Sequence, residues 1–571
     1  MRYLSVVLVT LLIVSPAVAQ QTWNQWAGGP QHTGSLDVTG QRFVTELANI
    51  VVDPFVPILR AEAGGALLVH YQTPLSQGRD VFMEVKTGTY NNFRSWETQT
   101  WNVRKFQWED GELVTRWTAE SDWNPVPSGP RFEPVFHGAL TKKFVYMAGA
   151  GGTILEVDRS SGVITRRLGQ FTMSIDLRTY VTSPITVDAD GNLYYNVLRL
   201  AAENPWTTDI SDAWLVKIAP DGTASRGSYT ALAPNAPAAT DMCLDQFPTS
   251  MLPWPPSPAA VPGSVPCGSQ RAGINIAPAV GPDGTIYTVS RAHLNSRWGW
   301  LVAVNPDLSS KWSTSLRNRF QDGCNVLLPT NGTPGGCRVG ATTGVDPADN
   351  QPGSGAVNDN STSSPVVAPD GTIFYGAYSR YNYSQGHMMR FSASGQYLNG
   401  YPFGWDVTPA LWQHDGTFSL ITKENRYVGA GSYCGGCPPN RIPSAPEGYY
   451  ITQLNPDLQV EWQFKATNTE SCARNEDGTV DCVDDHPQTF EWCVNSVAVD
   501  RRGVVYVNSE DGHLYAINQG GTLRERIFLQ LALGAAYTPL SLGADGKIYT
   551  QNAGHLFVVG TGLTKRRAVR P

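Results

Sequence analysis

Short stretches of alternating apolar and polar residues recur along most of this chain, and pairs of them are joined by Asp-Gly or similar turns. The clearest copy spans residues 365–375 and reads Pro-Val-Val-Ala-Pro-Asp-Gly-Thr-Ile-Phe-Tyr. Period-2 alternation predicts half-buried β-strands, and Asp-Gly favours the tight turn of a hairpin. Further copies lie at residues 184–194, 278–287, 497–506 and 539–549. Because a lone hairpin cannot bury its own faces, we predict a repeat architecture in which neighbouring units pack together.

Eight segments of the chain begin in a similar way, with a small polar residue that is usually followed by proline, and then an apolar alternation. Proline at the first position of a strand costs no ladder hydrogen bond, so it marks the start of a strand. Each segment continues through turns into further strands, and the fourth strand often carries a tryptophan such as Trp312 or Trp462. The segments begin at Thr73, Glu133, Ser183, Ala277, Ser364, Thr408, Asn495 and Thr538.

This pattern predicts an all-β fold, an eight-bladed β-propeller of four-stranded antiparallel blades. The last segment supplies only three strands, which end near residues 555–559, and the strand at residues 43–52 has no hairpin partner nearby. We therefore expect the N- and C-terminal strands to pair and close the ring, which removes two exposed sheet edges. Seven blades is the alternative count.

The chain divides into four parts. Residues 1–19 have one positive charge, an apolar run and a small-residue end, and are predicted to be a cleaved signal peptide. Residues 20–42 form an N-terminal segment, residues 43–560 a single propeller domain, and residues 561–571 a basic C-terminal tail. Loops rich in Pro, Gly, Asn and Cys are predicted as surface inserts near residues 223–272, 318–360, 429–447 and 468–489.

The signal peptide and the charge balance narrow the classes of function. No cysteine stands directly after the predicted cleavage site, which disfavours a lipid-anchored lipoprotein, and no later stretch reaches the roughly 20 apolar residues of a membrane helix. We therefore expect a periplasmic or secreted protein without a membrane span. The net charge of −7 argues against a nucleic-acid partner, because such binding depends on clusters of basic residues.

Nine cysteines follow the predicted signal peptide, which fits an oxidising compartment. Local spacing suggests four disulfides and leaves Cys493 over, although spacing alone does not determine the pairing. That thiol is free, pairs between molecules, or shows that another pairing is assigned wrongly. The candidate pairs are Cys243 with Cys267, Cys324 with Cys337, Cys434 with Cys437, and Cys472 with Cys482.

Three stretches resemble the repeat of the pyrroloquinoline-quinone (PQQ)-like propeller superfamily, the fold of quinoprotein alcohol dehydrogenases. They are residues 145–162, 301–312 and 511–518, the last reading Asp-Gly-His-Leu-Tyr-Ala-Ile-Asn. In the superfamily a blade reads roughly as apolar-Tyr, Gly-x-apolar-Tyr-Ala-apolar-Asp, Gly and then Trp. The resemblance covers residues 66–560 and implies the fold, whereas many members of the superfamily lack the quinone.

The sequence departs from the catalytic members of that superfamily. They carry two adjacent cysteines whose disulfide lies on the quinone, whereas Cys434 and Cys437 are separated by two glycines. Cys437 is followed by Pro438, so there is no haem attachment motif either. We therefore expect a binding or scaffold module without a cofactor. The alternatives are a periplasmic quinone-dependent dehydrogenase that uses PQQ with calcium, and a hydrolase that uses Glu133 and Asp406 as its two acids.

Innermost strands of a propeller line its axial channel, and ligands usually sit at the channel mouth. Polar residues just before or at the start of these strands are therefore candidates for binding a protein partner or a polar small molecule. A mixture of hydroxyl, amide, acid and imidazole groups suits such a ligand, but the same groups can also satisfy one another in a water-filled channel. The candidates are His70, Glu133, His137, Asn275, Asp406, Asn495 and Tyr537.

Overall fold

The computed structural model describes most of the chain after the predicted signal peptide. The described residues are 22–65, 69–93, 95–127, 132–171, 174–247, 259–320, 346, 349, 351–379, 386–427, 448–475, 477–533 and 538–562. The predicted signal peptide and the tail beyond residue 562 lie outside them, as do the pairs Cys324–Cys337 and Cys434–Cys437, the insert at 429–447, and Tyr537.

The described chain forms eight antiparallel sheets, which we number as blades in chain order. Blade 1 contains Leu75–Gln77, Asp80–Gly88, Gln99–Glu109 and Glu112–Glu120. Blade 2 contains Ala139–Leu140, Phe144–Gly149, Thr153–Asp158 and Ile164–Leu168. Blade 3 contains Thr179–Val181, Thr186–Val187, Leu193–Arg199, Asp212–Ile218 and Ala224–Ser228. Blade 4 contains Gln270–Ala272, Ala279–Val280, Ile286–Ala292, Gly299–Val304 and Ser310–Ser315.

The second half of the ring repeats this plan. Blade 5 contains Val366–Val367, Ile373–Tyr378, Gly386–Phe391 and Tyr397–Tyr401. Blade 6 contains Ala410–His414, Thr417–Arg426, Gly448–Leu454 and Val460–Lys465. Blade 7 contains Ala498–Asp500, Val505–Asn508, His513–Asn518 and Thr522–Phe528. Blade 8 contains Ser541–Leu542, Ile548–Asn552, His555–Gly560 and the early strand Thr45–Val51.

Both the blade count and the closure predicted from the sequence are confirmed. Thr45–Val51 pairs antiparallel with His555–Gly560, so the outermost strand of blade 8 comes from the N-terminal part of the chain. The apolar faces of neighbouring blades pack together, as Phe374 of blade 5 does against Phe418 of blade 6 at 6.1 Å between ring centroids. Such inter-blade burial is what the alternating repeat requires.

Connections within and between blades differ in length on the two ends of the ring. Each innermost strand runs from the end that we call the insert face to the end that we call the turn face. Turns of a few residues, such as 188–192 and 305–309, lie on the turn face. The longer connections, which leave the second strand or link one blade to the next, all lie on the insert face in the part of the ring that the structure describes.

The insert face carries several small elements of its own. The helix Val56–Glu62 precedes blade 1, and the three-residue 3₁₀ turn Ala150–Gly152 lies in blade 2. The region predicted as an insert at 223–272 contains the last strand of blade 3 and the first of blade 4, together with the helix Tyr229–Leu232. Two hairpins also project from this face, and they consist of Met242–Leu244 with Ser264–Pro266 and of Glu470–Arg474 with Val480–Asp484.

Residues 22–41 follow a path that sequence patterning did not predict. This segment, which we call the N-terminal belt, passes the turn-face ends of the innermost strands of all eight blades in order. It pairs with blade 1 through Thr22–Trp23 and with blade 7 through the parallel strand Ser35–Leu36. Backbone or side-chain hydrogen bonds join the belt to the other blades at Leu140, Val187, Val280, Val367, Leu411 and Gly546.

Side chains of the belt cross the axis of the ring. Trp26 donates its indole N–H to Thr408 Oγ1 of blade 6 at 3.1 Å, and its ring meets His137 of blade 2 edge-on at 5.5 Å. Blades 2 and 6 are opposite each other in a ring of eight, so this indole spans the axis. The imidazole of His32 lies 2.9 Å from the carbonyl oxygen of Pro365 and is fully buried.

The tight course of the belt depends on glycine at one point. Gly34 has φ +59°, and a Cβ there would lie 2.7 Å from the carbonyl oxygen of Val497. Only glycine combines this backbone conformation with so close an approach. The belt is therefore fitted closely to the end of the axial channel.

Candidate functional site

The structure describes six of the seven predicted mouth residues, and all six are buried rather than open to solvent. His70, Asn275 and Asn495 have no exposed surface, and Glu133, His137 and Asp406 are at most 3% exposed. Tyr537 lies outside the described residues. The structure brings His70 and Glu133 into direct contact, Asn275 and Asp406 are bound to other segments, and the Asn495 side chain has no hydrogen-bond partner among the described residues.

His70 closes the insert-face end of the axis. Its Nδ1 lies 2.7 Å from the carbonyl oxygen of Glu133, and its Nε2 lies 3.1 Å from the carbonyl oxygen of Asn360. His70 precedes blade 1 and Asn360 precedes blade 5, so the contact joins opposite sides of the ring. Burial lowers the pKa of His70 to about 4, which keeps the imidazole neutral at physiological pH. Because a neutral imidazole has one N–H donor, His70 donates a hydrogen bond to only one of these two carbonyl oxygens.

Glu133 belongs to a buried cluster of charged residues that sequence reasoning missed. The Lys86 ammonium lies 2.5 Å from Glu133 Oε2 and 2.6 Å from Asp53 Oδ2, and Trp101 donates its indole N–H to Glu133 Oε1 at 3.1 Å. Glu84 lies in the same cluster, and its Oε2 has no hydrogen-bond partner in the described part of the chain. A signal for this cluster was present: Glu84 and Lys86 stand two residues apart in an otherwise apolar strand, on one face of the sheet.

Burial controls protonation in this cluster. It raises the pKa of Glu133 to about 7, although the Lys86 ammonium acts to lower it. It also raises the pKa of Glu84 well above its usual value. For Lys86, burial lowers the pKa, but the carboxylates of Asp53, Glu133 and Glu84 more than reverse this and keep the ammonium charged. The cluster thus holds one fixed cation among carboxyl groups that bind protons readily.

Asn275 and Asp406 form side-chain hydrogen bonds with the backbone of segments that precede other blades. Both adopt the left-handed conformation, with φ of 71° and 55°. Asn275 accepts a hydrogen bond from the backbone N–H of Val135 at 2.7 Å and donates one to the carbonyl oxygen of Asp359 at 3.1 Å. Asp406 accepts one from the N–H of Thr362 at 3.2 Å. Short polar side chains tolerate this conformation and often bond nearby backbone groups.

Several buried polar atoms beside the innermost strands have no hydrogen-bond partner among the residues that the structure describes. They come from blades 1, 2, 5 and 7 and comprise both amide atoms of Gln72 and of Asn495, Nε2 of His137, and the hydroxyls of Thr73, Thr362 and Ser496. An unsatisfied buried polar group costs about 1–3 kcal/mol, so such atoms usually bind water or a polar ligand. The axial region therefore has the chemistry to hold small polar molecules, as the small polar residue at the start of each segment indicated.

Solved structures with similar folds are all distant in sequence. A europium-containing methanol dehydrogenase is similar with a TM-score of 0.50 and 11% identity, over 93% of this chain and 89% of that one. The quinohemoprotein alcohol dehydrogenase from Comamonas testosteroni has a TM-score of 0.49 and 11% identity, over 95% and 77% of the two chains. BamB from Moraxella catarrhalis has a TM-score of 0.40 and 9% identity, over 90% and 99%.

The chain shares the propeller fold of the methanol dehydrogenase. This agrees with the resemblance of its repeats, and at 11% identity the likeness concerns the fold alone. No protein-family model matches the sequence, and none of the curated proteins matches it either.

The axial residues of this quinoprotein-like propeller do not fit a quinone with calcium. A calcium ion needs several oxygen ligands, but Glu133 and Asp53 are bound to Lys86, and Asp406 is bound to a backbone N–H. Among the described residues, no group of three His, Cys, Asp or Glu side chains could hold a metal ion. The Trp26 indole also crosses the axis, and His70 and Asn360 meet across its insert-face end.

Two of the predicted disulfides are present in this propeller. Cys243 is bonded to Cys267 and Cys472 to Cys482, and each bond ties together one projecting hairpin of the insert face. Cys493 is buried and carries no disulfide within the described chain. Disulfides of this kind are typical of an extracytoplasmic protein. None of the described helices is long and apolar enough to span a bilayer.

Proposed function

We propose that this protein is an exported, periplasmic or secreted propeller that binds a protein partner through its insert face, as a binding or scaffold module. The observation that carries the proposal is the difference between the two faces. In the described part of the ring, every long connection and both stapled hairpins lie on the insert face. Recognition residues commonly lie on loops that a rigid scaffold holds in place.

The axis supports this assignment because its candidate groups are committed to the fold. The carboxylates of Glu133 and Asp406, which a hydrolase would need as its acid and base, are bound by Lys86 and by the N–H of Thr362. The proposal therefore includes neither a catalytic residue nor a cofactor. It assigns the unpartnered axial atoms to buried water, which makes about three hydrogen bonds per molecule in folded proteins.

The stapled hairpin at residues 470–484 is well suited to contact a partner. Both strands are largely exposed, and the disulfide between Cys472 and Cys482 limits the entropy that the hairpin loses on binding. Val483 is 64% exposed between the acidic residues Asp481 and Asp484. An exposed apolar side chain flanked by carboxylates favours a partner surface with an apolar spot and a basic rim.

Site-specific photo-crosslinking in the cell tests which face binds the partner. The crosslinking amino acid replaces Val483 or Met242 on the insert face, and Val163 or Leu523 on the turn face. These four side chains are 64%, 57%, 58% and 46% exposed, so access to solvent is similar. We expect the two insert-face positions to yield the same crosslinked product and the two turn-face positions to yield none.

Products from the turn face, or from none of the four positions, would contradict the proposal. A second assay addresses the oxidoreductase alternative directly, by adding PQQ and calcium to the purified protein. We expect neither the absorbance of a bound quinone nor dye-linked oxidation of alcohols, and either signal would favour the dehydrogenase instead.

A further inference from the structure

A polar cavity lies away from the axis, between blades 4 and 5 on the insert face. Its volume is about 300 Å³, at the lower end of the range for small-molecule sites. Arg291 from blade 4 and Arg297 from the loop after that strand contribute guanidinium groups to the wall. Ser296, Asn358 and Tyr378 contribute a hydroxyl, an amide and a phenol.

Both guanidinium groups are held rigidly and are almost fully buried. The side chains of Arg291 and Arg297 are each 9% exposed. Arg291 donates to Asp359 Oδ2 at 3.1 Å and to the carbonyl oxygens of Ala292, Val357 and His293 at 3.1, 3.3 and 3.1 Å, which leaves one of its five N–H donors for a ligand. Arg297 donates to Asp346 Oδ2 at 2.8 Å and to the carbonyl oxygen of Asp245 at 2.6 Å. Such fixed groups bind a ligand with little further loss of side-chain entropy.

The carboxylates that fix the arginines are not in the cavity wall. Asp359 also binds Arg271, at 2.6 Å between Nη2 and Oδ2, and neither Asp359 nor Asp346 lines the cavity. The wall therefore presents two guanidinium groups against the single carboxylate of Asp245. A second buried arginine next to Arg291 adds positive charge behind the wall, and burial together with this charge keeps the neighbouring His293 neutral, with its pKa lowered to about 3.

Donor groups remain available for a ligand. A guanidinium has five N–H donors, and the Arg297 guanidinium makes two hydrogen bonds within the described chain. The side chains of Ser296, Asn358 and Tyr378 make no hydrogen bond to other described residues. Planar guanidinium donors match the oxygen spacing of carboxylate and phosphate groups.

We propose that this cavity binds a small molecule through an oxyanion, either a carboxylate or a phosphate group. Arg297 and Arg291 hold the charged oxygens, while Ser296, Asn358 and Tyr378 bind the polar remainder of the molecule. The cavity volume limits the ligand to roughly the size of citrate or a phosphorylated monosaccharide. This site is independent of protein binding by the insert face.

Isothermal titration calorimetry on the chain from residue 20 onward tests the site with three probes: inorganic phosphate, citrate and glycerol. We expect saturable binding of phosphate or citrate at millimolar concentrations or below, and none of glycerol. Whichever anion binds more tightly identifies the preferred group. Arg297→Gln should weaken that binding about tenfold or more, because hydrogen bonds to charged groups contribute strongly.

Arg317→Gln is the matched control. The Arg317 side chain is 8% exposed and paired with Asp349, much like Arg297 with Asp346, but it does not line the cavity. Because Arg317 contacts Arg297 only at its carbonyl oxygen, at 3.5 Å, Arg317→Gln should weaken binding much less than Arg297→Gln does. Asn358→Ala removes a partly exposed side chain without breaking any bond in the fold, and should weaken binding by about threefold. This variant tests the site even if Arg297→Gln fails to fold.

Three results would overturn the proposal. The first is that neither anion binds saturably to the unaltered protein. The second is that glycerol binds as well as the anions do, since the arginines would then have no role. The third is a combined result: Asn358→Ala binds the anion as tightly as the unaltered protein, and Arg317→Gln binds it as weakly as Arg297→Gln. The anion would then bind outside the cavity.

Discussion

Trp26→Ala should lower the free energy of unfolding by about 3–5 kcal/mol, the range for a fully buried large side chain. Its indole has no exposed surface and touches both Thr408 and His137, on opposite sides of the ring. Removing it would leave a cavity on the axis, whereas the Thr408 hydroxyl would keep its hydrogen bonds with the backbone of Thr362 and Ser364. Because folded proteins are stable by only about 5–15 kcal/mol, the loss is a large fraction of the total.

Urea denaturation followed by circular dichroism measures this loss, with Trp206→Ala as the matched control. Trp206 is a partly exposed tryptophan on the insert face whose indole N–H donates to the carbonyl oxygen of Pro127 at 3.2 Å. Trp206→Ala removes the same side chain from a site that does not bridge the ring, so we expect a smaller loss in the free energy of unfolding. Equal effects of the two substitutions would show that the belt residue has no special role.

Lys86→Met should also cost about 3–5 kcal/mol, because it leaves two buried carboxylates without their cation. The ammonium contacts Asp53 at 2.6 Å and Glu133 at 2.5 Å, and all three side chains are at most 3% exposed. The matched control is Lys311→Met, which breaks an ion pair that is 36% and 61% exposed at its two ends. Surface pairs contribute about 0–1 kcal/mol, so this control should be nearly neutral.

The loss in the free energy of unfolding caused by Lys86→Met should depend on pH. Burial already raises the folded-state pKa of Glu133 above its unfolded value, and without the ammonium this pKa should rise further, so the folded variant keeps the Glu133 proton to a higher pH. Stability then falls as the pH rises from the unfolded pKa to the folded pKa. The deficit should therefore be small near pH 4 and largest above pH 7, the region in which Glu133 titrates in the unaltered protein.

Glu133→Gln separates this effect from general loss of packing. In the unaltered protein the pKa of Glu133 rises from 4.5 to about 7, so stability should fall as the pH rises between these values. The substitution should remove this slope, and in the Lys86→Met background it should reduce the deficit at high pH. A deficit that is the same at every pH, with or without Glu133, would contradict the charge account.

The sequence could predict the ring because each blade repeats a local signal. Asp-Gly turns, alternating strands and proline at the start of a strand are read over ten or so residues, as at residues 365–375. The pairing of Thr45–Val51 with His555–Gly560 was also predictable, since a three-stranded last unit needs one more strand. Such inferences depend on counting repeats rather than on long-range contacts.

The belt and the state of the axis could not be predicted in this way. Residues 22–41 contain no extended alternation, and their contacts reach partners hundreds of positions away, as Trp26 does at Thr408. The candidate mouth residues were chosen by position, but whether His70 faces solvent depends on the cross-axis contact with Asn360. Such contacts join opposite blades, so they form only when the whole ring is assembled.

Hydrogen–deuterium exchange of the belt tests most directly the claim that the chain closes its own axis. Peptides covering residues 22–41 are compared with peptides from the strand Val505–Asn508 of blade 7 and from the exposed hairpin at residues 470–484. If the belt is bound along all eight blades, its hydrogen-bonded amides should exchange about as slowly as those of blade 7. If all amides of the belt exchange as fast as those of the hairpin, the belt does not close the axis. This result would contradict the conclusion that the axial channel is closed and that the protein acts through its insert face.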